Sequence, residues 1–153
     1  MKIIIIIVLN VIVCLIAMEY KKCHKRKIEF YNSAVNYAKD LTSYISFNKN
    51  TAHEIFTANI GNYSKIFVTT LQEYFNDKEF NSDCLNSVEL IQINDFISSL
   101  GKYDIEETLK IINFHKLKFE QKVENLKESS KKKVEPVFKI IIILGIVLSI
   151  IIL

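Results

Sequence analysis

Two apolar runs stand near the ends of this 153-residue chain, and each is flanked on its inner side by lysines; no other feature limits the fold so strongly. From Ile3 to Met18 the only polar residue is Asn10. As a helix this run is roughly 24 Å long at about 1.5 Å per residue, against a hydrocarbon core of about 30 Å. Lys2 and Lys21 can snorkel and make up the difference. A cleaved signal peptide is the rival reading, but Leu15 and Ala17 are a poor cleavage site and the basic cluster that follows opposes export. The run from Ile140 to Leu153 has only Gly145 and Ser149 to offer water. With Val137 and Phe138, and with Lys139 snorkelling, it is long enough for a thin bilayer. The expected organisation is therefore a membrane anchor over residues 1–18, a helical domain over 19–136 and a second membrane helix over 137–153.

Charge orients this arrangement. Lys21, Lys22, Lys25, Arg26 and Lys27 follow the first run, and Lys131, Lys132, Lys133 and Lys139 flank the last. Between Ile28 and Ser130 ten basic residues face fifteen acidic ones, although the whole chain is +3. Both basic clusters border the central segment, which the positive-inside rule places in the cytoplasm, with both ends outside. Each lysine near an anionic lipid surface contributes on the order of 1 kcal/mol. A nucleic-acid binder would carry its positive charge on the folded domain instead. In the cytoplasm Cys23 and Cys84 are expected as free thiols.

The central segment reads as helices. One Pro and three Gly are too few for a turn-rich sheet. Ile28, Tyr31, Val35, Ala38, Leu41 and Ile45 step by three and four, predicting a helix from about Lys25 to Phe47. Asn48-Lys49-Asn50 ends it. Thr51 and Glu54 have capping-box spacing and open a short helix to about Asn59. Ser64 to Phe75 is next, then a loop over Asn76–Ser82. A helix from about Asp83 to Leu100 is expected to bury Val88, Ile91, Phe96 and Leu100. Gly101 stands where a C-cap glycine belongs, and Asp104 and Glu107 repeat the capping pattern at the start of the longest helix. That helix keeps a stripe of Ile105, Leu109, Ile112, Phe119, Val123 and Leu126, and Pro136 can kink its extension. The sum is an all-α protein: an antiparallel bundle of four or five helices flanked by transmembrane helices.

Catalytic patterns are missing from this sequence. His24, His53 and His115 are scattered, and Cys23 has no partner at zinc spacing. Glu106, Glu107, Glu120, Glu124 and Glu128 interleave with lysines, as on a solvated helix face. The glycines are isolated, so no phosphate loop exists. No catalytic, cofactor-binding or metal residue is expected, and no small-molecule substrate.

The segment from Asn94 to Ile112 resembles the stage III sporulation protein AB family, through Leu100, Gly101 and Asp104 in its Leu-Gly-x-x-Asp turn. Lys131–Lys133 and Leu144-Gly145 match the family's basic stretch and C-terminal apolar helix. Thr51-Ala52-His53 stands where the family has a Thr-Pro-Leu-like turn. The resemblance implies a non-enzymatic subunit of a channel or secretion-like complex in the mother-cell membrane around the forespore. It also implies a domain similar to the cytosolic domain of type II secretion platform proteins. The implied partners are the cytosolic ATPase of the complex, stage III sporulation protein AA, other membrane subunits and membrane lipids. A membrane-anchored regulator or small toxin-like membrane protein without an ATPase partner is the alternative, and a secreted helical protein the third.

Overall fold

The computed structural model describes residues 2–47, 51–76, 82, 84–100, 102 and 104–152, with side chains described from residue 6 to 45 in the first stretch and to 150 in the last. Most of these residues are helical, with no strand among them. The helices are α1 (Lys2–Phe47), α2 (Ala52–Ala58), α3 (Lys65–Phe75), α4 (Ser87–Ser99), α5 (Ile105–Ser129) and α6 (Glu135–Ile152). A 3₁₀ turn, Ile60–Asn62, precedes α3, and a π turn, Ser130–Val134, joins α5 to α6.

Two boundaries differ from the expectation. The N-terminal apolar run and the first central helix are one continuous helix. Nothing between Met18 and Lys25 can stop a helix: the segment has neither Gly nor Pro, and a fall in hydropathy is not a break in backbone geometry. Near Pro136, the chain makes a π turn whose last N–H, on Glu135, donates to the Ser130 carbonyl. Such a turn is one of the established ways a helix adjusts beside a proline that lacks a donor.

The described chain divides into two compact units: Arg26–Glu124, and Met1–Lys25 together with Asn125–Leu153. The first is a bundle around an aromatic core. Phe30 and Tyr37 of α1 lie 5.3 and 5.8 Å, ring to ring, from Phe67 of α3. Phe96 of α4 packs edge-on to Phe119 of α5 at 5.3 Å. These rings are almost wholly buried; such edge-to-face pairs stabilise by about 0.5–1.5 kcal/mol beyond area burial. The pairing Ser33–Ser64 and Phe30–Phe67 runs α3 antiparallel to α1. Glu89–Lys122 and Phe96–His115 run α5 antiparallel to α4. Tyr37 donates to the Ala52 carbonyl at 2.9 Å and pins the start of α2.

The α4 face is not the expected one. Val88 and Ile91 are 60% and 58% exposed, while Glu89, Ile93, Phe96 and Ile97 are buried. A buried carboxylate sits in what the sequence presents as a polar step, and the inward face lies about a quarter of a turn from the expected one, with Phe96 on both.

In the other unit α1 and α6 run antiparallel, with Asn10 against Ser149, Val13 against Gly145 and Lys21 over the Phe138 ring at 5.1 Å. Among the described residues no helix is long and apolar enough to cross a membrane. The described apolar stretches, Ile6 to Met18 and Val137 to Ile150, span about 20 Å each at about 1.5 Å per residue. The two expected spans draw on residues 1–5 and 151–153 for the rest, and those side chains lie outside the described residues.

Candidate functional site

Two polar assemblies stand out, one in each unit. In the bundle, Asn86 caps α4. Its Oδ1 accepts from the Glu89 N–H at 2.9 Å, and Glu89 Oε2 accepts from the Asn86 N–H at 3.0 Å. The same carboxylate takes Lys27 of α1 at 2.9 Å and Lys122 of α5 at 3.1 Å. One side chain, 5% exposed, thus ties three helices at one point. Burial alone would push the Glu89 carboxyl up. The hydrogen bonds from Lys27, the Asn86 backbone and Lys122 outweigh it and hold the carboxyl below its usual range. Lys122 also stands 5.8 Å from the ring centroid of Tyr31. Burial, and then the Glu89 charge, push the Tyr31 phenol up, and its hydroxyl is buried without a hydrogen-bond partner.

In the other unit Asn10 donates to the Ile6 carbonyl at 2.9 Å and to the Ser149 hydroxyl. Ser149 donates to the Gly145 carbonyl at 2.8 Å. A Cβ on Gly145 would lie 3.1 Å from Val13 Cγ1 and 3.4 Å from Asn10 Oδ1. Glycine is what lets the backbones approach closely enough for the clasp to form. Further along, the His24 Nε2–H lies 2.9 Å from the Leu126 carbonyl.

The sequence-predicted residues fall at separate places. Thr51 and Glu54 form a reciprocal capping box: Thr51 Oγ1 accepts from Glu54 N–H at 3.2 Å, and Glu54 Oε2 accepts from Thr51 N–H at 2.8 Å. Asp104 Oδ1 accepts from the Glu107 N–H at 2.8 Å, capping α5. Leu100 is the C-cap of α4, and Gly101 lies outside the described residues. In the basic groups, Lys22 pairs with Glu19 and Lys132 with Glu128. Lys131, Lys133 and Lys139 are exposed. Lys27 is turned inward to Glu89, so it belongs to the bundle's interior and is not a charge offered to lipid.

Sequence reasoning missed Asn86 and Glu89, although Asn-x-x-Glu is the same signal that Thr51 and Glu54 carry. The histidines have local roles: His53 packs edge-on to Phe75 at 4.8 Å, and His115 lies against Phe96 at 5.2 Å. Burial, then the Lys118 charge, hold the His115 imidazolium below its usual range, with Asp95 opposing. Among the described residues no group of three or more His, Cys, Asp or Glu could hold a metal ion. The arrangement ties helices together, and among the described residues it shows no nucleophile–base pair.

Residues 62–153 match the family described as stage III sporulation protein AB. No curated protein and no solved structure matches the chain.

Proposed function

We propose, from the premise that this chain belongs to the stage III sporulation protein AB family, that it is a non-enzymatic membrane platform subunit of a sporulation channel complex. The family membership gives a role in sporulation. The finer reading is that residues 1–18 and 137–153 anchor the protein in the mother-cell membrane around the forespore. The bundle between them docks the cytosolic ATPase of the complex, stage III sporulation protein AA, and the anchors meet other membrane subunits. It takes no nucleic acid and no cofactor.

The observation that carries the membrane part is the Asn10–Ser149–Gly145 clasp. Two helices that are apolar on their exposed faces as well need a polar link and a close glycine contact to associate in lipid, where the hydrophobic effect gives no drive. The described stretches reach about 20 Å; by sequence, Ile3–Ile5 and Ile151–Leu153 extend both in the same apolar character. The basic side chains at the inner ends give the orientation.

Deleting the gene in its host and counting heat-resistant spores tests the role. A platform subunit predicts normal vegetative growth, a loss of heat-resistant spores and arrest just after engulfment. Normal spore yield, in a strain without a second copy, would overturn it.

A further inference from the structure

The clasp between α1 and α6 uses every side-chain hydrogen it can donate and leaves one oxygen that can still accept. Asn10 has two side-chain N–H donors, and both are taken, by the Ile6 carbonyl and the Ser149 hydroxyl oxygen. The Ser149 O–H goes to the Gly145 carbonyl. The Asn10 side-chain oxygen accepts from none of the described residues. Nor is it a sealed atom. Among the described residues the buried side-chain oxygens without a partner belong to Tyr31, Glu73 and Ser82, so Asn10 Oδ1 keeps accessible surface. A groove of about 300 Å³ opens beside it, lined by Asn10 and by Ile146, Ser149 and Ile150 of α6. Those three are spaced by three and four and share one helix face. Ile146 and Ile150 are 52% and 70% exposed.

By sequence Asn10 stands in the middle of the apolar run from Ile3 to Met18. On the platform reading it lies within the hydrocarbon, where an acceptor without a donor is costly and an acyl chain has none to give. We propose that the groove receives a third membrane helix, from a different subunit, whose hydroxyl or amide N–H donates to Asn10 Oδ1. A second copy of this chain does not meet the demand, because its own clasp has no side-chain donor left to offer. A charged donor would bring the cost of an ion into lipid, so the group is neutral. The inference rests on the platform reading and names the chemistry of the neighbour that α1 and α6 meet.

The probes are three synthetic leucine helices with lysines at both ends, alike except at one central position, which is serine, O-methylserine or leucine. O-methylserine keeps the oxygen of serine and lacks its proton. Each carries a donor dye and is mixed in phosphatidylcholine vesicles with the full chain, which carries the acceptor dye at Tyr20→Cys after Cys14, Cys23 and Cys84 are replaced. Energy transfer is expected to show the serine helix associating about threefold more tightly than the other two. Asn10→Leu and Ile146→Trp should each abolish that preference. Ile146→Trp fills the groove from an exposed position and leaves the residues of the clasp in place. Equal association of the three helices would overturn the proposal and leave the groove to lipid or water. Serine and O-methylserine associating alike, or a preference that survives Ile146→Trp, would also overturn it. Transfer between two labelled copies of the chain that Ile146→Trp removes would seat a second copy there instead. Alkaline washing separates this inference from the reading beneath it. A chain stripped from the vesicles loses its anchors and the site with them, whereas a retained chain that treats the three helices alike loses the site alone.

Discussion

The two polar assemblies solve opposite problems. At Glu89 a full charge is buried in a bundle whose remaining core is mostly aromatic and aliphatic, and it is held by two lysines and a helix cap. At Asn10 the groups are neutral, the surroundings are apolar side chains, and the partner helix has a bare glycine at the crossing. A bundle in water has the hydrophobic effect to assemble it, so an ion pair there sets which helices meet and in what register. On the platform reading proposed above, the α1–α6 pair lies in lipid, which lacks that drive and makes a charge costly, so an amide and a hydroxyl do the joining. On that reading, the difference between a charged tie and a neutral one separates a water-facing domain from a membrane-anchored helix pair.

Removing the charged tie should have the largest effect. Glu89→Ala leaves two lysines facing a buried gap and removes the reciprocal half of the α4 capping box. It should cost about 3–5 kcal/mol, read as a lower denaturant midpoint for the bundle. Lys122→Ala, at a side chain 38% exposed, should cost only about 1 kcal/mol. Equal losses from the two variants would break the claim that Glu89 is the shared anchor.

Acid sharpens the same comparison. The folded pKa values of Glu89 and His115 are both held down. In both cases the unfolded chain binds the proton more readily, so their stability is present above the unfolded pKa and lost as pH falls through the folded one. His115 begins to lose its share as pH falls below about 6.5, and Glu89 below about 4.5. Glu89→Gln should flatten the lower part of a stability-against-pH curve and leave the upper part unchanged. The Asn10–Ser149 clasp has no titrating group, so the anchor pairing should not respond to pH in that range.

Next comes the cap. Thr51→Ala should cost about 1 kcal/mol, seen as a small drop in thermal midpoint. The neutral clasp is the weakest of these ties. Asn10→Leu should loosen the α1–α6 pairing by only about 0.6 kcal/mol, or at most about 2. Gly145→Val should do more, because its side chain would press on Val13. Energy transfer between labels on the two helices in vesicles measures both. A larger effect from Asn10→Leu than from Gly145→Val would mean that the hydrogen bond, and not close approach, sets the pairing.

The sequence makes some of this legible. The stripe from Ile28 to Leu41 locates the inward face of α1, where Tyr31, Val35, Ala38 and Leu41 are buried. Thr51 and Glu54 mark the start of α2, and Asp104 that of α5. Asn10 is conspicuous as the one polar residue in its run, but its partner is 139 positions away and no local pattern connects them. Glu89 is hidden for a different reason. Periodicity assumes that buried means apolar, and a carboxylate neutralised by lysines from two other helices breaks that assumption. That is why Val88 and Ile91 read as inward and are found outward. A surface groove lined by Arg26, Lys65, Glu73 and Cys84 is likewise beyond sequence reach, since its residues come from α1, α3 and the turn before α4.

The most direct test of a two-anchored platform is the side of the membrane on which the bundle lies. A variant with Cys14, Cys23 and Cys84 replaced and Lys102, an exposed residue between α4 and α5, changed to cysteine can be treated with a membrane-impermeant maleimide on intact cells. A cytoplasmic bundle between two spans predicts no labelling until the membrane is opened, followed by full labelling. Labelling of Lys102→Cys on intact cells would contradict the orientation and with it the platform.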